Sequence, residues 1–579
     1  MKKILTAICI SLILVGCYED KGNYDYKFDK MNEIKSVTFT PSAVESASGM
    51  LIELQQSMNE RDTLRRIEAV VEQTLTTDYN KLHFYWYVNS VDDNGIRRND
   101  TIETNGYLDV VLPVGKEKEY KVYLQVYDTE TTLSYYTGVT IKTRPIFKNS
   151  LFVLHGEAGE RKLGNIEKIG NETNVYSDAY GFLKSGEHPF VNAEGLSYVT
   201  YQDISNATGS WVVGEVNSLM VYSSNSGVTA YHPYGLNPKY YSNVIMKPAN
   251  SSFVYSRSIQ AGDASNYTLY KMVLSKDGQV CIGNYVPALY KPGYGIELSG
   301  GNSLHQSDYQ VTAATITEGR FVMWDNKNNR FLYVSKDEQY PLCESDMLGN
   351  YPSVLNNPVL DANVDYSGLE KSPVGMRAVY AYIQHRENYS EAKPYFIFFD
   401  EAAGEYWRYE LTKVAVGDEK KGKMNAKGEE SAKSAFTITG SRMHNFTPGN
   451  NWNTIVYNSW FTTNYLFYAE GGTVYRYSVS NGDKVAMYTA PEGYTISLLK
   501  FRVEDSNSFF DDLGRWLTIG MEKEGNGAVA EILLNTASDV DKDTAPLFYD
   551  KDGDGKPFGR IKDVQFAQIY MYSMLDYSN

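Results

Sequence analysis

From residue 32 to about 144 the chain alternates apolar and polar positions with the period of two that a half-buried strand requires. Ile34-Lys35-Ser36-Val37-Thr38-Phe39 opens the series. In Leu82-His83-Phe84-Tyr85-Trp86-Tyr87-Val88 the positions Leu82, Phe84, Trp86 and Val88 share one face. Tyr120, Val122, Leu124 and Val126 do the same in the segment ending at Asp128, and Gly138-Val139-Thr140-Ile141 closes the series. Turn-forming clusters such as Asp92-Asp93-Asn94-Gly95 separate the strands. The pattern predicts a β-sandwich over residues 32–144, with Trp86 a core plug rather than a ligand platform.

Beyond Arg144-Pro145 the grammar changes. Pro145 biases Arg144 towards extended geometry. Residues 145–579 then hold short apolar and aromatic runs joined by Gly, Asn and Asp turns, with no sustained helical period. The strongest begin near Leu151, Trp211, Phe253, Arg320, Tyr395, Tyr465 and Trp516, spaced about 60 residues apart, more than the 40–45 of the commonest propeller repeat. Several return as hairpins: Phe321–Trp324 leads through a polar turn into Arg330–Val334, and Tyr465–Tyr468 leads through Glu470-Gly471-Gly472 into Val474–Tyr477. The spacing predicts a β-propeller of six to eight blades, seven fitting best; two successive sandwiches are the alternative. Asp418–Lys433, rich in Lys, Glu, Gly and Ala, reads as a solvated excursion between strands. Phe558–Tyr572 is again strand-like and is expected to close the ring. The fold class is therefore all-β.

The amino terminus has a different form. Lys2 and Lys3 precede an apolar run from Ile4 to Val15, too short for the ~20 residues of a membrane span and shaped like a secretory signal. Leu14-Val15-Gly16-Cys17 follows and resembles the lipobox of bacterial lipoproteins. The resemblance implies a signal peptide over 1–16, acylation of Cys17, and attachment to a membrane through lipid alone. Residues 17–31 read as a polar tether. Within it, Tyr18-Glu19-Asp20-Lys21-Gly22-Asn23-Tyr24-Asp25-Tyr26 resembles the opening of PKD-like family lipoproteins, surface proteins associated with starch-utilisation-type outer-membrane importers. The Trp86 strand followed by Tyr-x-Val-x-Leu-x-Val-x-Asp likewise resembles the immunoglobulin-like PKD module. The family implies an outer-membrane location facing the cell exterior, with importer subunits as protein partners and the sandwich as a spacer. Glu19 and Asp20 beside Cys17 resemble the export signal for that face.

Composition narrows the alternatives. The 579 residues carry a formal charge of -16, which becomes more negative once Lys2 and Lys3 leave with the signal. An acidic chain of this kind argues against a nucleic-acid partner, whose binder should be basic. Four cysteines exclude a disulfide scaffold. After processing, Cys281 and Cys343 are the thiols besides Cys17, and in an oxidising compartment they either pair or sit as small buried hydrophobes.

Local catalytic motifs are missing: no His-Glu-x-x-His, no Gly-x-Ser-x-Gly and no phosphate-cradling glycine loop. The 7 histidines are scattered singly. No catalytic residue is assigned, and no cofactor is implied beyond calcium. Asp550-Lys551-Asp552-Gly553-Asp554-Gly555 carries oxygen ligands at the first, third and fifth positions of a calcium loop, but Ile561 stands where a bidentate glutamate should close it. Asp550, Asp552 and Asp554 are thus a calcium candidate, with an acidic surface turn as the plain alternative. Tyr234, Tyr240, Tyr241, Tyr294, Trp452 and Trp460 lie in turn-like contexts and are the candidate ligand platform, since Tyr and Trp offer an apolar face with a hydrogen-bonding edge. Together these features point to a non-enzymatic surface lipoprotein that binds a glycan or oligopeptide as accessory to an importer. A propeller hydrolase or lyase and an adhesin are the competing readings.

Overall fold

The computed structural model describes residues 32–567 apart from several internal segments, the longest being 298–308, 336–358, 414–435 and 503–512. Cys17, the signal and the tether, Tyr234, Trp460, Cys343 and the excursion at 418–433 therefore lie outside the described residues. The chain forms two compact units, Met1–Arg144 and Pro145–Asn579. No helix among the described residues is long and apolar enough to cross a membrane.

The first unit is a sandwich of two sheets. One holds Ile34–Thr40, Thr63–Gln73 and Tyr107–Leu112. The other runs, in spatial order, Val44–Ser46, Gly49–Gln55, Ser134–Arg144, Glu119–Asp128, Leu82–Val91 and Arg97–Thr104. Gly49–Gln55 pairs parallel with Ser134–Arg144, and the other pairings are antiparallel. The inward positions predicted from the alternation form the core: Leu82, Phe84, Trp86 and Val88 meet Val122, Leu124 and Val126 with Phe39, Ile67 and Leu108 from the opposite sheet. Trp86 is fully buried, and its Nε1 donates to Thr104 Oγ1 at 3.1 Å. Tyr120, at the start of its strand, donates its hydroxyl to Val111 O at 2.7 Å. That hydrogen bond ties the two sheets together in the manner of the tyrosine corner of immunoglobulin folds.

The second unit is a seven-bladed β-propeller. Blades 2 to 7 are successive sheets whose innermost strands are Ala193–Ile204, Tyr255–Asp263, Val311–Thr317, Arg377–Gln384, Ile455–Val456 and Thr495–Phe501; the pairings are antiparallel except that Met246–Lys247 adds parallel to the outer strand of blade 3. Blade 1 takes Ser150–His155, Lys162–Ile169 and Glu172–Tyr176 from the start of the unit and Ile561–Ala567 from its end. Val153 faces Val564 and Leu151 faces Phe566 across that seam. Five of the seven strand starts read from the sequence, Leu151, Arg320, Tyr395, Tyr465 and Trp516, fall in the second strands of five different blades, and Trp211 and Phe253 lie outside the described residues. The reason is burial: a second strand is covered on both faces, so its apolar run is continuous. Ser150–His155 is buried throughout. Aromatics interlock between blades, Trp324 meeting Phe398 edge-on at 4.8 Å and Phe467 meeting Phe501, on the first strand of the next blade, at 5.5 Å.

Candidate functional site

Strands buried on one side must present their alternate residues to solvent. In the six-stranded sheet of the sandwich those residues are His83, Tyr85 and Tyr87 on one strand and Lys121, Tyr123, Gln125 and Tyr127 on the next. Tyr136 and Gly138 continue the face on the third strand. The registers place Tyr87 opposite Tyr123 and Tyr123 opposite Gly138. One rung away, Tyr85 faces Gln125 and Gln125 faces Tyr136. Five tyrosines thus share a platform two rungs deep with a third rung, His83 opposite Tyr127, at its end. Tyr87, Tyr123 and Tyr136 are exposed.

Polar groups orient this platform. Tyr87 donates its hydroxyl to Gln125 Oε1 at 2.9 Å, and Gln125 Nε2 donates to Ser134 Oγ at 2.9 Å, which holds the amide in one orientation. The His83 ring lies parallel to Tyr85 at 6.3 Å and meets the Glu103 carboxylate through Nδ1 at 2.8 Å. Desolvation and then the Glu103 charge raise the Tyr85 hydroxyl above its usual pKa, so it stays a protonated donor. Such a surface offers aromatic faces with fixed hydroxyl and amide edges.

The platform differs from the residues singled out by turn context. Tyr240 and Tyr241 sit on the fourth strand of blade 2, paired with Ala230 and Thr229. Tyr294 is on the fourth strand of blade 3. Trp452 is half-buried at the entry to the first strand of blade 6, with the Arg377 guanidinium 4.2 Å over its ring. These four positions are spread over three blades and are not brought together. Cys281 lies on the third strand of blade 3. The tyrosines gathered between blades 5 and 6, including Tyr380, Tyr382, Tyr395 and Tyr457, are buried and belong to the hydrophobic core. Burial pushes the Tyr382 hydroxyl up to about 12.

The aspartate loop folds as a turn. Asp552 Oδ1 accepts the amides of Asp554 at 3.0 Å and Lys556 at 2.8 Å, while Oδ2 accepts the Ser177 hydroxyl at 2.5 Å. Asp554 pairs with Lys556 at 3.5 Å. Asp550, Asp552 and Asp554 do not converge, and among the described residues no group of three or more His, Cys, Asp or Glu side chains is placed to hold a metal ion.

Apart from Tyr136, whose strand begins at Ser134 rather than at Gly138, the platform tyrosines stand in strands read from the sequence, at the positions between the apolar ones. The signal was there: a solvent face normally carries charged and small polar residues, yet here it carries tyrosine at 85, 87, 123, 127 and 136. Only the strand order shows that these strands are neighbours.

Residues 17–187 match the model of the PKD-like family, the family that the opening residues and the sandwich strands resemble. No curated protein matches the chain. Among solved structures, it is similar to a quinoprotein alcohol dehydrogenase-like protein from Bacteroides thetaiotaomicron, at 11% identity over 89% of this chain and 96% of that one, with a TM-score of 0.39. The WD40 domain of SCAP from fission yeast aligns over 69% of this chain and 90% of that one, at 8% identity and a TM-score of 0.29. The extracellular domain of a hybrid two-component system protein from B. thetaiotaomicron aligns over 91% of this chain and 64% of that one, at 10% identity and a TM-score of 0.30.

Proposed function

We propose that this chain is a non-enzymatic, lipid-anchored binding protein on the outer face of the outer membrane, accessory to a nutrient importer. Acylated Cys17 holds it to the membrane, the propeller docks to importer subunits, and the cargo is a glycan or oligopeptide. The observation that carries the binding role is the exposed tyrosine platform of the sandwich. Charged residues on a solvent face serve solubility better, so five tyrosines gathered there suit ligand contact more than a spacer alone.

Two measurements test the reading. A pull-down with the full chain from detergent-solubilised outer membranes is expected to recover importer subunits, and recovery of none counts against it. Cys17→Ser is expected to move the protein from the membrane fraction to the soluble fraction.

A further inference from the structure

The platform has a detail that specifies its ligand. A Cβ placed on Gly138 would stand 3.3 Å from Tyr123 Cδ1 and 3.4 Å from Cε1. The Tyr123 ring therefore lies along the sheet, over the space that the glycine leaves on the neighbouring strand, as aromatic side chains do when they cover a strand glycine. A ring in that posture turns its π-face outward, and Tyr123 is 55% exposed.

We propose that this face binds a neutral polysaccharide chain lying across the strands, its sugar rings stacked on Tyr123 and its flanking tyrosines. The proposal rests on the binding role put forward above and narrows its cargo. Three strands at about 4.8 Å spacing make the rung Tyr87–Tyr123–Gly138 about 10 Å long, room for about two hexose rings. Tyr136 on the next rung extends it. The hydroxyl of Tyr87 and the fixed amide of Gln125 lie beside the stacking surface, where sugar hydroxyls need partners.

The charges and the sheet edges disfavour other occupants. The cations on the face stand beside carboxylates, Lys142 at 3.0 Å and Lys121 at 4.0 Å from Glu119, and Glu103 lies 2.8 Å from His83, so the face has no cluster of cations set apart for a polyanion. An extended peptide adds to a sheet edge by backbone pairing. The edges here are the three-residue strand Val44–Ser46 and Arg97–Thr104, which is exposed and carries Arg97, Arg98, Asp100 and Glu103, a guarded edge. A tyrosine offers about 150–250 Å² of coverable surface. Exposures of 37%, 55% and 66% for Tyr87, Tyr123 and Tyr136 leave about 300 Å² of open tyrosine surface, the scale of a short run of sugar rings.

The test is affinity electrophoresis of the full chain in detergent through gels containing glucomannan, arabinoxylan, dextran or polygalacturonate. Retardation by at least one of the neutral polymers is expected. Tyr123→Ala and Gly138→Thr should each weaken it on the order of tenfold. Gly138→Thr keeps every platform side chain and only denies Tyr123 its resting place, and the circular dichroism spectrum verifies that both variants fold. Unchanged retardation in the two folded variants overturns the proposal, as does retardation by polygalacturonate alone. Absence of retardation by every polymer also overturns it; if importer subunits are still recovered in the pull-down, the accessory role stands without this cargo.

Discussion

His155 Nδ1 accepts the backbone N–H of Gly559 at 2.9 Å, a hydrogen bond that joins the first strand of the propeller to the segment leading into its last. The other ring nitrogen, Nε2, meets the Ser177 carbonyl at 2.6 Å. Only the neutral ring with its proton on Nε2 satisfies both partners, because a protonated Nδ1 would point a hydrogen at the Gly559 N–H.

Burial lowers the His155 pKa; the Ser177 carbonyl opposes this, and Lys162 adds to it. The folded state thus prefers the neutral ring, while the unfolded chain takes a proton near pH 6.5. The contribution is complete above that pH and is lost as pH falls through it towards the folded value. Thermal unfolding should show the stability advantage of the wild type over His155→Gln shrinking between pH 7.5 and pH 5.5. An advantage that grows on acidification would refute the assignment.

Asp552 is expected to act as a clasp for the same seam. Its carboxylate takes two backbone amides and the Ser177 hydroxyl, so Asp552→Ala should cost about 1–3 kcal/mol. The loss should be equal in calcium and in chelator when followed by denaturant unfolding.

Glu194, on the first strand of blade 2, gathers charges from blades 1 and 3. Its carboxylate meets Arg161 at 2.6 Å, Lys276 at 3.0 Å and Lys562 at 3.5 Å. Burial would raise its pKa, but hydrogen bonds from Arg161 and Lys276 outweigh that and hold it at about 2. A lowered carboxylate stabilises the fold above its unfolded pKa near 4.5, and that contribution disappears as pH falls towards 2. Glu194→Gln leaves the cations around a neutral amide and should cost about 3 kcal/mol at neutral pH. The gap between variant and wild type should close in acid titration from pH 4.5 downward.

Trp86 and Tyr123 should separate stability from binding. Trp86→Ala opens the sandwich core and is expected to cost about 3–5 kcal/mol by urea unfolding. Tyr123→Ala, on the solvent side of the same sheet, should stay within about 0.5 kcal/mol. A large loss for Tyr123→Ala would make that ring structural.

Much of the architecture was legible along the chain because its cause is local. Leu82, Phe84, Trp86 and Val88 alternate because one side of that strand is buried, and the alternation is visible without coordinates. Ser150–His155 and Trp516–Lys523 announce themselves as apolar runs because second strands are covered on both faces. The spacing of such runs sets the number of blades. Turn context was a poorer guide to ligand positions: Trp452 and Tyr294 look alike in sequence and stand in different blades, since local conformation says nothing of which turns share a surface.

By itself, then, the sequence determined the two β-units, the inward faces of the Leu82–Val88 and Tyr120–Asp128 strands, the signal-like amino terminus and the family resemblance of Tyr18–Tyr26. The tertiary structure decided what depends on pairing between distant segments. It seats Ile561–Ala567 against Ser150–His155 to close the ring. It also sets Tyr123 beside Gly138 and Tyr87, so that tyrosines dispersed over some fifty positions become one platform. Alternation is a property of one strand and can be read along it. Register and strand order arise between strands, from packing and hydrogen bonding that no single segment encodes.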